Sequence, residues 1–193
     1  MSNHYANDRP SAWVVRFASL IPQGEVLDLA CGGGRHARLL AAPSRPVLAV
    51  DHDADALAKI AEPNVSTLQY DLEKDSGHMD SWPFGANRFA GIVVVNYLHR
   101  PLLPGILASL APNGVLIYET FAHGNERFGK PSNPAFLLAP GQLLEAVRAC
   151  STGTMRVIAF EDGYTDQPKP AMVQRICAIK LDGEVVPEIL RLN

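Results

Sequence analysis

Apolar positions along this chain alternate between two periods. Short unbroken runs recur at Val26 to Leu29, Val47 to Val50, Ile92 to Val95 and Val115 to Tyr118, interrupted only by Asp28. Runs of that length predict parallel strands buried on both faces. Between them lie segments of helical spacing. From Asp8 to Leu20 the residues Trp13, Val14, Phe17, Ala18 and Leu20 share one face, and Asp53 caps a helix over 54–60 whose early acids suit the positive end of its dipole. Pro101 opens a helix ending near Leu110, the turn Ala111-Pro-Asn-Gly114 launches the next strand at Val115–Glu119, and a further helix runs from Gly141 to Cys150. The β-prone stretch from Val65 to Asp71 adds another strand. Met155–Glu161 and Ala171–Lys180, joined by a Gly- and Pro-containing link and closed by Asp182-Gly183, read as a hairpin. Strands alternating with helices predict an α/β fold.

Chemistry enters at the strand ends. In the run from Val26 to Leu40 a strand enters the glycine turn Gly32-Gly33-Gly34 and then a helix, the corner where nucleotide ligands approach backbone. Gly32, Gly34 and Ala37 satisfy the dinucleotide pattern G-x-G-x-x-G/A, with Asp51 at the spacing of a ribose contact. Asp28 pulls the other way. A carboxylate beside this helix N-terminus repels a pyrophosphate and suits a ligand bearing an ammonium group, as S-adenosylmethionine does without any phosphate. Two more strands stop on acids, Asp51 and Asp71, which places three carboxylates on the ligand-binding edge of one sheet.

The run Asp28-x-Ala30-x-Gly32-x-Gly34 resembles the signature of the class I S-adenosylmethionine-dependent methyltransferases, an acid followed by alternating glycines, with Ala30 where many members have the first glycine. The resemblance covers about residues 25–120. It implies a Rossmann-like three-layer sandwich around a mostly parallel seven-stranded sheet, ordered 3-2-1-4-5-7-6 with strand 7 antiparallel. It also implies S-adenosylmethionine as cofactor, held by Asp28, Ala30, Cys31, Gly32, Gly34, Asp51 and His52. Asp71 then meets the adenine amino group, Leu72 walls the ring pocket and Asn96 lies at the sulfur end. Where methyltransferases of nucleobase amines often carry Asn/Asp-Pro-Pro-aromatic, this chain has Asn96-Tyr-Leu-His99, which speaks against that substrate. The stretch Phe136 to Leu144 resembles a loop of the small bacterial tellurite-resistance and thiopurine-type methyltransferases.

Composition narrows the setting. A chain of 193 residues, 47% hydrophobic, fits one domain over 1–193, with a cofactor core at about 25–120, a cleft loop at about 122–140 and a C-terminal helix and hairpin at about 141–181. No apolar run approaches the roughly 18 residues of a membrane span, and Met1 to Asp8 lacks the regions of a signal peptide, so a cytoplasmic protein is expected. Cys31, Cys150 and Cys177 are odd in number, and the six histidines are scattered, so neither a disulfide frame nor a metal site is expected. Cys31 lacks a partner pattern for nucleophilic work and reads as a small loop residue. A net charge of −3 argues against nucleic acid, while Arg100, Arg127 and Lys130 leave an anionic small molecule open.

Methyl transfer from a sulfonium is an in-line displacement in which alignment carries much of the catalysis, with a base only where the nucleophile must lose a proton. His99, Tyr97 and Glu119 are the catalytic candidates, His99 first because imidazole titrates near neutrality, although it equally suits a helix-entrance residue. Tyr118, His123, Arg127 and Phe128 are the substrate candidates, with Tyr5, Arg9 and Trp13 as further cleft residues. The segment 123–139 is expected to cover a small-molecule acceptor as a mobile lid, the plainer alternative being a static flap packed through Phe136, Leu137 and Leu138. Two other function classes stay open. One is a small NAD-dependent oxidoreductase, for which no catalytic set is evident, and the other a non-catalytic S-adenosylmethionine-binding module.

Overall fold

Seven strands hydrogen-bond into one sheet in the order β3-β2-β1-β4-β5-β7-β6 in the computed structural model, which describes residues 9–74 and 82–182. The parallel strands are β1 (Val26–Leu29), β2 (Val47–Asp51), β3 (Val65–Gln69), β4 (Phe89–Val95) and β5 (Leu110–Phe121). β7 (Ala171–Lys180) runs antiparallel between β5 and β6 (Met155–Thr165). Order and directions are those the class I resemblance implies.

The apolar runs are explained by position. β1, β2 and β4 are interior and every residue in them is buried, whereas the edge strand β3 has exposed residues at Ser66, Thr67 and Gln69 and half-buried ones at Val65 and Leu68. Successive side chains go to opposite faces. Leu27, Leu29, Ile92, Val94 and Leu116 pack under α4 (Leu103–Ser109) and α5 (Gln142–Arg148). Val26, Val93, Val95 and Ile117 pack under α1 (Ala12–Phe17) and α2 (Arg35–Leu40), with Leu57 of α3 (Ala54–Leu57) in the same layer. The chain leaves β1 toward β2 and returns to β4 on its other side, so the sheet's switch point lies between β1 and β4, where open α/β folds take ligands.

Several boundaries differ from expectation. α1 begins at Ala12 because the Ser11 hydroxyl accepts Trp13 N–H at 3.1 Å, and the expected start at Asp8 lies outside the described residues, as does Tyr5. Trp13 belongs to the core rather than the cleft, its Nε1–H donating to the Ile176 carbonyl at 3.2 Å. β5 starts at Leu110, since Leu110 still pairs with Phe89 and the Pro-Asn-Gly turn is a bulge within the ladder. β6 continues to Thr165 because its pairing with β7 persists to the hairpin end. Lys180 is buried with its ammonium on Asn87 Oδ1 and the Leu110 carbonyl, at 2.8 and 2.9 Å.

Candidate functional site

Past Leu29 the backbone turns through left-handed residues at Ala30 (φ 52°), Gly32 (φ 53°) and Gly34 (φ 76°). A side chain costs roughly 1–2 kcal/mol there, and Ala30 bears that strain. The turn folds back so that Ala30, Cys31, Gly32, Gly33, Arg35 and His36, with Val95 and Asn96 from the end of β4, enclose a cavity of about 280 Å³. A Cβ added at Gly32 or Gly33 would meet no atom within 4 Å, so these glycines leave the wall open. Gly34 is different: its Cβ would sit 2.7 Å from Ile60 Cδ1, and the residue caps α2 without lining the cavity.

Asp28 lies beneath the turn, 1% exposed, its Oδ2 accepting Ala37 N–H at 2.9 Å and its Oδ1 3.9 Å from His36 Nδ1. His36 Nε2 accepts Ser11 N–H at 3.1 Å, which leaves Nδ1 to carry the ring proton toward Asp28. Burial pushes the Asp28 carboxyl up to about 7 and the His36 imidazole down to about 3. Asp28 therefore stabilises the fold fully below its unfolded value of 3.8, and that contribution is lost as pH rises to about 7. His36 works in the opposite sense, contributing fully above 6.5 and losing its contribution as pH falls toward about 3. The two offset each other over the shared window. Asp28→Asn removes one arm, so the variant is expected to exceed the parent in stability at high pH and to lose stability as pH falls below 6.5. Thermal unfolding of both proteins across that range checks this, and parallel curves would refute it.

Asp51, at the end of β2, ties the turn down: Oδ2 accepts Gly32 N–H at 2.8 Å and Oδ1 accepts Asp53 N–H at 3.0 Å. Each oxygen retains acceptor capacity for a further donor. His52 is exposed with Nδ1 3.2 Å from Asp51 Oδ1. Asp71 is exposed, with Oδ1 on Glu73 and Lys74 N–H groups, and Leu72 beside it is buried. Cys31 is buried, and desolvation followed by the Asp28 and Asp51 charges pushes its thiol far up, which suits the inert loop role.

Asn96 (φ 60°) also belongs to a second cavity of about 210 Å³, lined by Glu73, Tyr97, Leu98, Thr120, Phe121, Pro131 and Phe136. Burial, then the neighbouring Glu73 carboxylate, pushes the Tyr97 hydroxyl up. Tyr97 Oη lies beside that carboxylate, and His99 Nε2 is buried without a hydrogen-bond partner among the described residues. His99 is not on the cavity wall. It stands behind Glu73, its Nδ1 4.0 Å from Glu73 Oε2.

Other sequence candidates fall elsewhere. Tyr118 is corrected from cleft to core, since it is 1% exposed and its hydroxyl donates to the Tyr97 carbonyl at 2.9 Å. Glu119 Oε2 is held by Arg175 Nε at 2.7 Å and by the Ser11 hydroxyl at 3.1 Å, a structural ion pair rather than a free base. His123, Arg127 and Phe128 are exposed and off both walls, with Phe128 resting 5.2 Å from the Tyr164 ring. Glu73 and Phe121 were missed, although Glu73 follows the strand-end acid Asp71 by two residues and Phe121 follows Glu119 by two.

The loop is pinned at its base. Leu137 and Leu138 are buried, Leu138 N–H donates to Phe121 O at 3.0 Å, and buried Asn125 bridges Pro131 O and Met172 N at 2.9 and 3.2 Å. Arg100 donates to the Ala135 and Leu137 carbonyls and to Gln142 Oε1, at 2.6, 2.7 and 3.1 Å. Leu137 and Leu138 are packed onto the domain while Phe136 of the same expected flap stays 46% exposed, and the guanidinium expected to draw an anion is held by the loop.

Residues 26–114 match the model of a methyltransferase domain. No curated protein matches the sequence. Among solved structures, TehB from Haemophilus influenzae is 21% identical with a TM-score of 0.67, over 89% of this chain and 62% of that one. The N-methyltransferase NodS from Bradyrhizobium japonicum is 15% identical at a TM-score of 0.63, over 88% and 93%. The [4+2]-cyclase SpnF is 17% identical at 0.62, over 87% and 81%. At these identities the likeness establishes the fold.

Proposed function

We propose that this chain is a class I S-adenosylmethionine-dependent methyltransferase and methylates a small-molecule acceptor. The observation that carries the reading is the pair of cavities meeting at Asn96, one floored by the glycine turn and one walled by the loop after β5. S-adenosylmethionine, when bound, supplies an electrophilic methyl group on a sulfonium.

The glycine turn that lines the first cavity, with the acids beneath and beside it, suits that ligand. Gly32 and Gly33 leave room that a Cβ would fill, and the spare acceptor capacity of Asp51 suits two ribose hydroxyls. Asp28, beneath the turn, attracts an ammonium and disfavours the pyrophosphate of NAD. In this reading Asp71, whose Oδ2 is not used by the Glu73 and Lys74 N–H groups, takes the adenine amino group, and Leu72 walls the ring. Asn96 divides the two cavities, so an acceptor in the second is held against the methyl-donating end, the alignment on which such a transfer depends. Phe121, Pro131 and Phe136 exclude water there, and a proton shed by the acceptor has Glu73 and, behind it, His99 to receive it.

Parallel calorimetric titrations with S-adenosylmethionine and NAD are the first test, with micromolar binding expected for the former and none for the latter. A radiolabelled-methyl screen of small-molecule, tRNA and protein fractions follows, with label expected in the small molecules. Tight NAD binding would overturn the reading in favour of an oxidoreductase. Cofactor binding with every fraction unlabelled would favour a non-catalytic binding module.

A further inference from the structure

We infer that the second cavity takes an amine on a small apolar body, bound as its ammonium against Glu73 and methylated at nitrogen after that proton has passed to the Glu73 carboxylate, so that the methyl acceptor is an amine. This rests on the methyltransferase reading and extends it to substrate class.

The charge on the cavity wall is of one sign. Glu73 is the charged residue among its lining residues, and its side chain is about half exposed at 49%, a position from which it reaches solvent on one side and the cavity on the other. Arg100, the nearest cation in sequence to the cavity residues Asn96, Tyr97 and Leu98, is committed to two loop carbonyls and Gln142. Among the described residues that line the cavity there is no cation, so an anionic acceptor would meet an uncompensated carboxylate. The polar groups match the other choice. An ammonium has several N–H donors and no acceptor, and the wall offers acceptors: the Glu73 carboxylate, the Tyr97 hydroxyl beside it, and the Thr120 hydroxyl. A hydroxyl turned toward a carboxylate keeps its oxygen lone pairs for an N–H group from the ligand. The remaining wall is apolar or aromatic, from Leu98, Phe121, Pro131 and Phe136, and at about 210 Å³ the space suits a single ring or a short chain. Rings stacked beside a cation add further attraction through their faces.

The test uses three probes of one shape and different charge, benzylamine, benzyl alcohol and benzoate, titrated into the full chain near neutral pH by ligand-observed NMR. Benzylamine is expected to bind about tenfold more tightly than benzyl alcohol, the size of one charge-assisted contact at a half-exposed carboxylate, with benzoate weaker than both. Glu73→Gln keeps the shape and is expected to abolish the tenfold preference while leaving benzyl alcohol unchanged. Tyr97→Phe is expected to cut benzylamine affinity a few-fold. Equal binding of the three probes, a preference for benzoate, a preference that survives Glu73→Gln, or no binding of any probe would each overturn the inference. S-adenosylmethionine titrated into the same samples separates the two readings: retained cofactor binding without an amine preference leaves the methyltransferase reading standing, whereas loss of cofactor binding in the unmutated chain removes both.

Discussion

Asp51→Ala is expected to weaken S-adenosylmethionine binding by roughly two orders of magnitude, equivalent to about 3 kcal/mol. The carboxylate closes an apolar strand and is 8% exposed, and its two oxygens already hold the glycine turn and the entry to α3 through Gly32 and Asp53 N–H groups. Removing it deprives the ribose hydroxyls of a charged acceptor and also loosens the floor of the cavity, so both effects run the same way. The chain should still fold, because the two freed N–H groups lie at the open edge of the sheet where water can reach them, at a cost of about 1–2 kcal/mol in stability. Asp51→Asn separates the contributions. Its amide oxygen can keep one backbone bond and offers the ribose no charge, so its cofactor affinity is expected to fall between parent and alanine variant. If calorimetry found both variants less stable but unaltered in affinity, Asp51 would be a helix-entry residue and nothing more.

Replacing residues 126–132 by a short Gly-Ser link is expected to leave cofactor affinity within about twofold while abolishing most methyl transfer to an identified acceptor. The excision removes Pro131 from the wall of the second cavity and frees Phe136, but it spares Asn125, whose side chain bridges to β7, and Asn133, whose side chain caps the turn at Pro134–Phe136. The first cavity shares none of these residues. Arg100→Ala approaches the same wall from beneath: it deletes the bonds to the Ala135 and Leu137 carbonyls and is expected to lower turnover several-fold with a smaller loss of stability, since buried Leu137 and Leu138 still anchor the loop. Unchanged turnover in the excised protein would show that the loop does not shape the acceptor site. Loss of folding would show that 126–132 serves packing instead.

The strand identities were legible because burial on both faces leaves no room for alternation, as in the all-buried β1, β2 and β4. Helix and strand ends were read less well. α3 stops at Leu57 rather than at residue 60, and β5 extends back to Leu110 through a Pro-Asn-Gly turn that normally marks a strand's start, because pairing with Phe89 outweighs the turn's local preference. Tyr118 and Glu119 illustrate the same limit at the site. Both stand at a strand end that faces ligand in open α/β sheets, yet one side chain points into the core and the other into an ion pair with β7, a strand more than fifty residues away in sequence.

What this sequence determined by itself is the local chemistry of the turn. An acid, small residues at left-handed positions and an acid closing the next strand depend on neighbours in the chain, and backbone sterics alone make Gly32 and Gly34 suit the turn observed. Tertiary structure decided which groups come together around the second cavity. Glu73 after β3, Tyr97 after β4 and Phe136 from the loop after β5 are separated by dozens of residues and carry no shared spacing, so their meeting follows from strand order and register rather than from any run of residues. The same packing assigned Arg100 to the loop and Arg175 to Glu119, since a charge drawn out of water takes the partner that folding places within reach.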